Sequence, residues 1–206
     1  MDRAGWPFVG AAAAPAVAAW WWGWPWVALV CAALAVFLAF FFRDPHRVVP
    51  SDRSAVVSPA DGRVLVAGTA EPAAAPAGEW KQVSIFLSPL NVHINRIPIG
   101  GLVTKVERLP GRFLAAYRRE AATKNSRNEV WIEREGRTVV CRQVVGVLAR
   151  RLVCRVARGA TVQTGDRYGL MKFGSRIDLF LPPTVTIEVS VGDAVRGGET
   201  VLARWV

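Results

Sequence analysis

The sequence predicts a mainly β domain of the α+β class behind an uncharged N-terminal membrane helix or helical hairpin. Three observations carry that prediction. Residues 5–42 hold no charged side chain. From residue 55 onward, short apolar runs alternate with Asp-Gly, Gly-Asp and Gly-Gly pairs, the pattern of strands and tight turns. The length, 206 residues, suits one domain plus an appendage.

The N-terminal segment comes first. Trp24 to Phe42 is apolar throughout, and a bilayer span needs about 20 such residues. Before it, Ala11 to Ala19 leads into Trp20-Trp21-Trp22-Gly23-Trp24-Pro25-Trp26. Trp prefers the headgroup level, and Gly23 and Pro25 break a helix. Two shapes fit: a single span, or a hairpin whose Trp-rich bend lies at an interface. A cleaved signal peptide fits less well, because the apolar run is too long and Phe40-Phe41-Phe42 is no small-residue cleavage site. Arg43, Arg47 and Arg53 follow, which places the remaining chain on the cytoplasmic side of a cell (inner) membrane. The expected division is an anchoring segment, 1–43, and a β-rich domain, 44–206.

In the second part, Val56 to Val66 reads strand, Asp61-Gly62 turn, strand. Residues 70–79 are an Ala/Pro-rich loop, and Gln82 to Leu87 is a strand ending at Ser88-Pro89. Ile99 to Leu109 reads as a strand pair bent at Gly100-Gly101, and Phe113 to Thr123 as a short helix. Glu129 to Arg134, Thr138 to Val144 and Leu148 to Val156 are β-rich, with turns at Glu135-Gly136 and Gly146. Thr184 to Val206 gives further strands around Gly192-Asp193 and Gly197-Gly198. Such short strands imply a compact sandwich or barrel. Their spacing resembles the barrel-sandwich hybrid of lipoyl and biotinyl carriers, without the modified hairpin lysine those carriers need; Met171-Lys172 is the nearest match.

The net charge is +10, and Arg supplies nearly all of it; Lys occurs only as Lys81, Lys105, Lys124 and Lys172. Such a surface suits nucleic acid or anionic headgroups. Nucleic acid is disfavoured, because aromatic residues interleaved with basic ones are sparse after residue 50. Arg118, Arg119, Lys124, Arg127, Arg150 and Arg151 are either an anionic-lipid surface or a solvated basic face. Three cysteines (Cys31, Cys141, Cys154) without CxxC spacing and two histidines (His46, His93) indicate neither a disulfide framework nor a metal site. His46 is read as an interfacial residue near the membrane exit.

The stretch with most chemistry is Tyr168-Gly169-Leu170-Met171-Lys172-Phe173-Gly174-Ser175-Arg176-Ile177-Asp178. Glycine leaves its carbonyl open and reaches backbone angles closed to other residues. The Ser175 hydroxyl is placed for five-membered attack on the Gly174 carbonyl, and strain in the turn would favour an N→O acyl shift.

Five features now stand in order: Phe42-Arg43-Asp44-Pro45, Pro59-Ala60-Asp61-Gly62, Leu87-Ser88-Pro89-Leu90-Asn91-Val92-His93-Ile94-Asn95-Arg96, Met171-Lys172-Phe173-Gly174-Ser175-Arg176, and the terminal Gly-Asp-x-Val-x-x-Gly pair. From about residue 40 to 206 the chain resembles the phosphatidylserine decarboxylases, of the short proteobacterial and archaeal type. The resemblance implies self-cleavage between Gly174 and Ser175. It gives an upstream chain, 1–174, and a downstream chain, 175–206, that stay associated as a heterodimer or a higher oligomer. Ser175 becomes a pyruvoyl group, the self-derived cofactor, which forms a Schiff base with the phospholipid substrate and releases CO2. The resemblance implies a membrane-bound phospholipid partner and leaves diacylglycerol- and archaeol-based lipids both open.

The same resemblance makes Asp61 the orienting acid of a Ser-His-Asp-like processing triad and His93 the decarboxylation residue. Longer relatives carry a second histidine three residues on; here that position is Arg96. A guanidinium is no base at ordinary pH. Three routes to processing stay open: His93 serves both steps, Asp61 acts on Ser175 more directly, or strain at Gly174 carries more of the load. Arg96 is then a candidate to hold the substrate phosphate or polarise a carbonyl. The competing reading is a membrane-anchored, non-enzymatic barrel-sandwich adaptor, which predicts an uncut chain.

Overall fold

The computed structural model describes residues 1–147, 152–172 and 174–205. It divides into two compact units, Met1–His46 and Arg47–Val206.

The first unit is a helical hairpin. Helix α1 (Trp6–Trp21) and helix α2 (Pro25–Phe41) pack on each other. The chain reverses at Trp22-Gly23-Trp24, where Gly23 takes φ +75°, and Pro25 opens α2 where a missing N–H costs nothing. The expected membrane helix is not established, since no helix among the described residues is long and apolar enough to cross a membrane. Helix α2, with 17 residues, spans roughly 25 Å at 1.5 Å per residue.

The second unit is mainly β. In chain order its elements are β1 (Ala55–Val57), β2 (Gly62–Thr69), β3 (Lys81–Leu87), β4 (Ile94–Arg96), β5 (Gly101–Leu109), α3 (Ala121–Lys124), β6 (Arg127–Arg134), β7 (Arg137–Val144), β8 (Leu152–Cys154), β9 (Thr161–Val162), β10 (Arg167–Met171), β11 (Ser175–Leu181), β12 (Thr186–Ile187), β13 (Ala194–Val195) and β14 (Val201–Arg204). An eight-stranded sheet runs β13-β2-β3-β11-β7-β6-β5-β9; two three-stranded sheets run β1-β14-β12 and β4-β10-β8. All these strand pairs are antiparallel. One core joins the three sheets: Ile85, Ile177, Leu179 and Cys141 from the large one, Val56 and Leu202 from one small sheet, Tyr168 and Met171 from the other.

Strand β11 sits centrally, between β3 and β7, and all seven of its residues are buried. Its period-2 alternation sends Ile177, Leu179 and Leu181 into that core. Arg176, Asp178 and Phe180 take the opposite face. Strands β6 and β7 form a hairpin closed by Glu135 (φ 54°) and Gly136 (φ 74°), the two positive angles of a turn that matches strand twist.

Two expectations are corrected. Ile99 to Leu109 is not a strand pair: Gly101 is already paired with Val162, so the bend falls before it and a single strand follows. Phe113 to Thr123 is not a helix: only Ala121–Lys124 is helical. The cause lies in competing hydrogen bonds. Arg112 N donates to Lys124 O (2.7 Å), Ser126 N donates to Arg112 O (2.9 Å), and the Asn125 amide both accepts from Leu114 N (2.9 Å) and donates to Leu114 O (2.8 Å). Those bonds hold 112–114 out of a helical path. The predicted strand from Leu148 is described from Leu152; Arg150 and Arg151 lie outside the described residues, as does Phe173.

Candidate active site

The Gly174–Ser175 bond lies where the chain enters β11. Ser175 pairs with Leu87 of β3, and Arg176 pairs with Val144 of β7. Strand alternation puts Ser175 on the core face, two residues before Ile177. The residue is fully buried, and its Oγ has no hydrogen-bond partner among the described residues. A buried hydroxyl without a partner costs on the order of 1–3 kcal/mol, so it asks for a reason. Gly174 takes φ +67°, in the left-handed region, with open space where a Cβ would stand.

His93 is fully buried just before β4. The carbonyl of His93 accepts from Met171 N (3.2 Å), which ties it to the strand that leads into Gly174. Its Nδ1 lies 2.9 Å from Asn91 O. A carbonyl only accepts, so Nδ1 carries the proton, and in the neutral ring Nε2 is the basic nitrogen.

Asp61 is placed elsewhere than at that ring nitrogen. Its carboxylate accepts from Arg47 Nη2 (2.7 Å) and from Gly197 N (2.8 Å). Arg47 also reaches Glu199 (3.1 Å). Glu199 accepts from Val48 N (3.2 Å), and this backbone bond first, then Arg47, holds its carboxyl below the usual range. Arg96 is buried beside this cluster: its Nη1 donates to Gly165 O (3.0 Å), and a Cβ on Gly198 would stand 2.8 Å from its Cδ. So Asp61 holds the 197–199 turn, and that turn packs on Arg96.

Sequence reasoning missed three features. A buried amide relay runs Asn128 Nδ2 to Gln143 Oε1 (3.1 Å) and Gln143 Nε2 to Asn95 Oδ1 (2.7 Å). It ties β4, which His93 directly precedes, to β7, whose Gln143 faces Ile177. Asn95 Nδ2 is then left without a hydrogen-bond partner among the described residues, inside a fully buried residue. On the opposite face of β11, Arg176 Nε donates to Asp178 Oδ1 (2.5 Å) and Ser84 Oγ donates to the same oxygen (2.6 Å). Arg176 Nη2 and Gln82 Nε2 both donate to Ser84 Oγ, at 3.0 and 2.8 Å. This network fixes the residue directly after Ser175. Third, Gly146 abuts the Gly174 carbonyl so closely that a Cβ on it would stand 2.1 Å from that oxygen. Only the spacing of Arg176 and Asp178 on one strand face was visible beforehand.

Cys141 does not compete as nucleophile. Burial, above all, pushes its thiol up to about 12, and it sits 3.0 Å from Tyr168 Oη inside the core. Arg118, Arg119 and Lys124 are exposed and Arg127 half-buried on the segment around α3.

Comparison with known proteins gives one consistent result. A sequence model of the phosphatidylserine decarboxylase family matches residues 34–203. The phosphatidylserine decarboxylase proenzyme of Nitrosomonas eutropha is 40% identical over 207 residues, covering 100% of this chain and 95% of its own. Those of Geotalea uraniireducens and Pelodictyon phaeoclathratiforme are 42% and 43% identical, over 96% and 82% of this chain and 93% and 80% of their own.

Proposed function

Because this chain belongs to the phosphatidylserine decarboxylase family, we propose that it is a self-processing lyase that decarboxylates phosphatidylserine to phosphatidylethanolamine. The observation that carries the processing step is the pairing of an orphaned, buried Ser175 Oγ with a left-handed Gly174 before it. These residues fit a pyruvoyl group made from Ser175. The serine stands first in β11, and the strand holds it from both sides once the chain is cut. When formed, the group supplies an electrophilic ketone for the substrate amine and an electron sink for loss of CO2.

The chain's own residues do the rest. His93 Nε2, left as the acceptor nitrogen by the Nδ1–H bond to Asn91 O, takes the Ser175 hydroxyl proton during cleavage and returns a proton to the substrate carbon after CO2 leaves. Asp61 acts by position, fixing Arg47 and the 197–199 turn that backs Arg96. Arg96 is the candidate to meet the substrate phosphate. Burial of Ser175 and His93 keeps water from the reacting carbon. We read the three sheets around one core as a barrel-sandwich hybrid.

The hairpin unit is the membrane anchor in this reading, with the β unit, Arg47–Val206, on the cytoplasmic side of the cell membrane. Its Trp20, Trp21, Trp22, Trp24 and Trp26 are 60–85% exposed, and Leu29, Val30 and Val36 are exposed on α2. So large an apolar surface marks an interaction with a membrane or a partner.

The test is an intact-mass spectrum of the purified protein beside its Ser175→Ala variant. The expected result is two chains, 1–174 and 175–206, the second blocked at its N-terminus, and a single uncut chain for the variant with no CO2 release. A wild-type chain that stays whole while releasing CO2 overturns the proposal.

A further inference from the structure

Gly146 stands two residues after the end of β7 and is buried. A Cβ placed on it would lie 2.1 Å from the Gly174 carbonyl oxygen and 3.2 Å from the carbonyl carbon. The next neighbour, Ala116 Cβ, would be 3.5 Å away, an ordinary contact. Among the described residues the clash is therefore with one group, the carbonyl of the bond to be cut.

The Gly146 backbone has little freedom to retreat. Two residues before it, Val144 is paired with both Arg127 of β6 and Arg176 of β11. Val145 N donates to Ser126 O (3.1 Å), and Val145 O accepts from Asn125 Nδ2 (2.8 Å). So the segment under the carbonyl oxygen is held by two strands and a buried asparagine. Gly174, in contrast, is unconfined by side chains at its own α-carbon. The orientation of its carbonyl needs an external stop, and Gly146 is in place to provide it.

We propose that Gly146 is a positioning residue for self-cleavage: its bare α-carbon seats the Gly174 oxygen and so sets which face of that carbonyl meets Ser175 Oγ. The proposal rests on the self-processing reading above. In the step concerned, Oγ bonds to the Gly174 carbon and the hydroxyl proton passes to a base. The C=O electron pair moves onto the oxygen that rests on Gly146. When the pair returns, the C–N bond breaks and the Ser175 nitrogen takes a proton, leaving an ester and a free amine. Loss of the Ser175 α-proton then breaks the Cβ–Oγ bond and releases the Gly174 carboxylate. Addition of water and departure of ammonia complete the ketone. Only the first step needs the carbonyl face fixed, so only the first step should feel a methyl group at residue 146. A misplacement near 1 Å at a reacting centre slows a reaction on the order of 10²-fold.

The experiment follows full-length Gly146→Ala, wild type and Ser175→Ala after synchronised cell-free synthesis. Cleavage is read on denaturing gels with and without hydroxylamine, which cuts an ester but not a peptide. Thermal melting of the uncut chains is read in parallel. The expected result is a Gly146→Ala precursor that cleaves about 10²-fold more slowly than wild type, gains no cut with hydroxylamine, and melts within a few degrees of the Ser175→Ala precursor. Wild-type cleavage speed in Gly146→Ala overturns the proposal, and so does a hydroxylamine-sensitive precursor, because the block would then follow ester formation. If Gly146→Ala melts far below Ser175→Ala, the double variant Gly146→Ala with Ala116→Gly decides. It frees the neighbouring side chain and keeps the clash with the oxygen, so a slow cut supports the proposal and a fast cut overturns it. A wild-type chain that never cleaves would instead remove the self-processing reading itself.

Discussion

At Gly174 the left-handed backbone and the open space around the α-carbon separate two effects that usually arrive together. An alanine there meets nothing within 4 Å, so its only penalty is conformational, about 1–2 kcal/mol for a residue with a Cβ. The cleanest measurement compares Gly174→Ala/Ser175→Ala with Ser175→Ala by urea unfolding, since both chains stay whole. A difference of about 1–2 kcal/mol is expected; a loss several times larger would mean that the site is confined. His93 shows the same economy of local structure. The carbonyl of Asn91, two residues away in sequence, sets its tautomer, a task that the motif comparison assigned to Asp61. No spacing rule reveals that substitution, because any residue has a backbone carbonyl.

At the scale of elements, β11 carries the site on one face and its support on the other. Ser175 and Ile177 face the core, while Arg176 and Asp178 share a buried ion pair with side-chain exposures of 5% and 0%. Removing one partner of such a pair strands a buried charge and costs about 3–5 kcal/mol. Asp178→Ala should therefore lower stability by about that amount in the Ser175→Ala precursor, and an urea midpoint that does not move would show the pair to be solvated. The strands were legible because alternation and turn pairs are local signals: β3, β6, β7 and the Glu135-Gly136 turn fall where the residues put them. Phe113 to Thr123 was misread because Asn125, outside that window, captures the Leu114 backbone. The importance of Gly146 was hidden for a similar reason. Its requirement comes from Gly174, twenty-eight positions away, and no local pattern records a close approach between distant backbones.

For the whole molecule, cleavage after Gly174 would turn internal contacts into contacts between two chains. Glu199 lies in the downstream piece, and its partners Arg47 and Val48 in the upstream one. Its carboxyl is depressed below the ordinary 4.5, so its stabilisation is present above that value and is lost as pH falls through the lower folded value. Glu199→Gln should lower the melting temperature at pH 7, and its difference from wild type should shrink progressively as pH falls below 4.5; a difference that stays constant down the whole acid range would exclude the linkage. The anchor is testable in the same full-length protein. Five of nine tryptophans sit in the bend of the hairpin or in the helix ends beside it and are largely exposed, so they dominate the emission spectrum. If the hairpin is the proposed anchor, those rings and the apolar faces behind them are the surface it would bury at the headgroup boundary. Adding vesicles of phosphatidylserine and phosphatidylglycerol should then shift the emission to the blue, and brominated acyl chains should quench it. Replacing Trp20, Trp21, Trp22, Trp24 and Trp26 by Ser should reduce vesicle partition about tenfold or more while leaving chain cleavage at Gly174 unchanged, because cleavage draws only on residues of the second unit. Full vesicle binding after that replacement would place the membrane contact on the basic β unit instead.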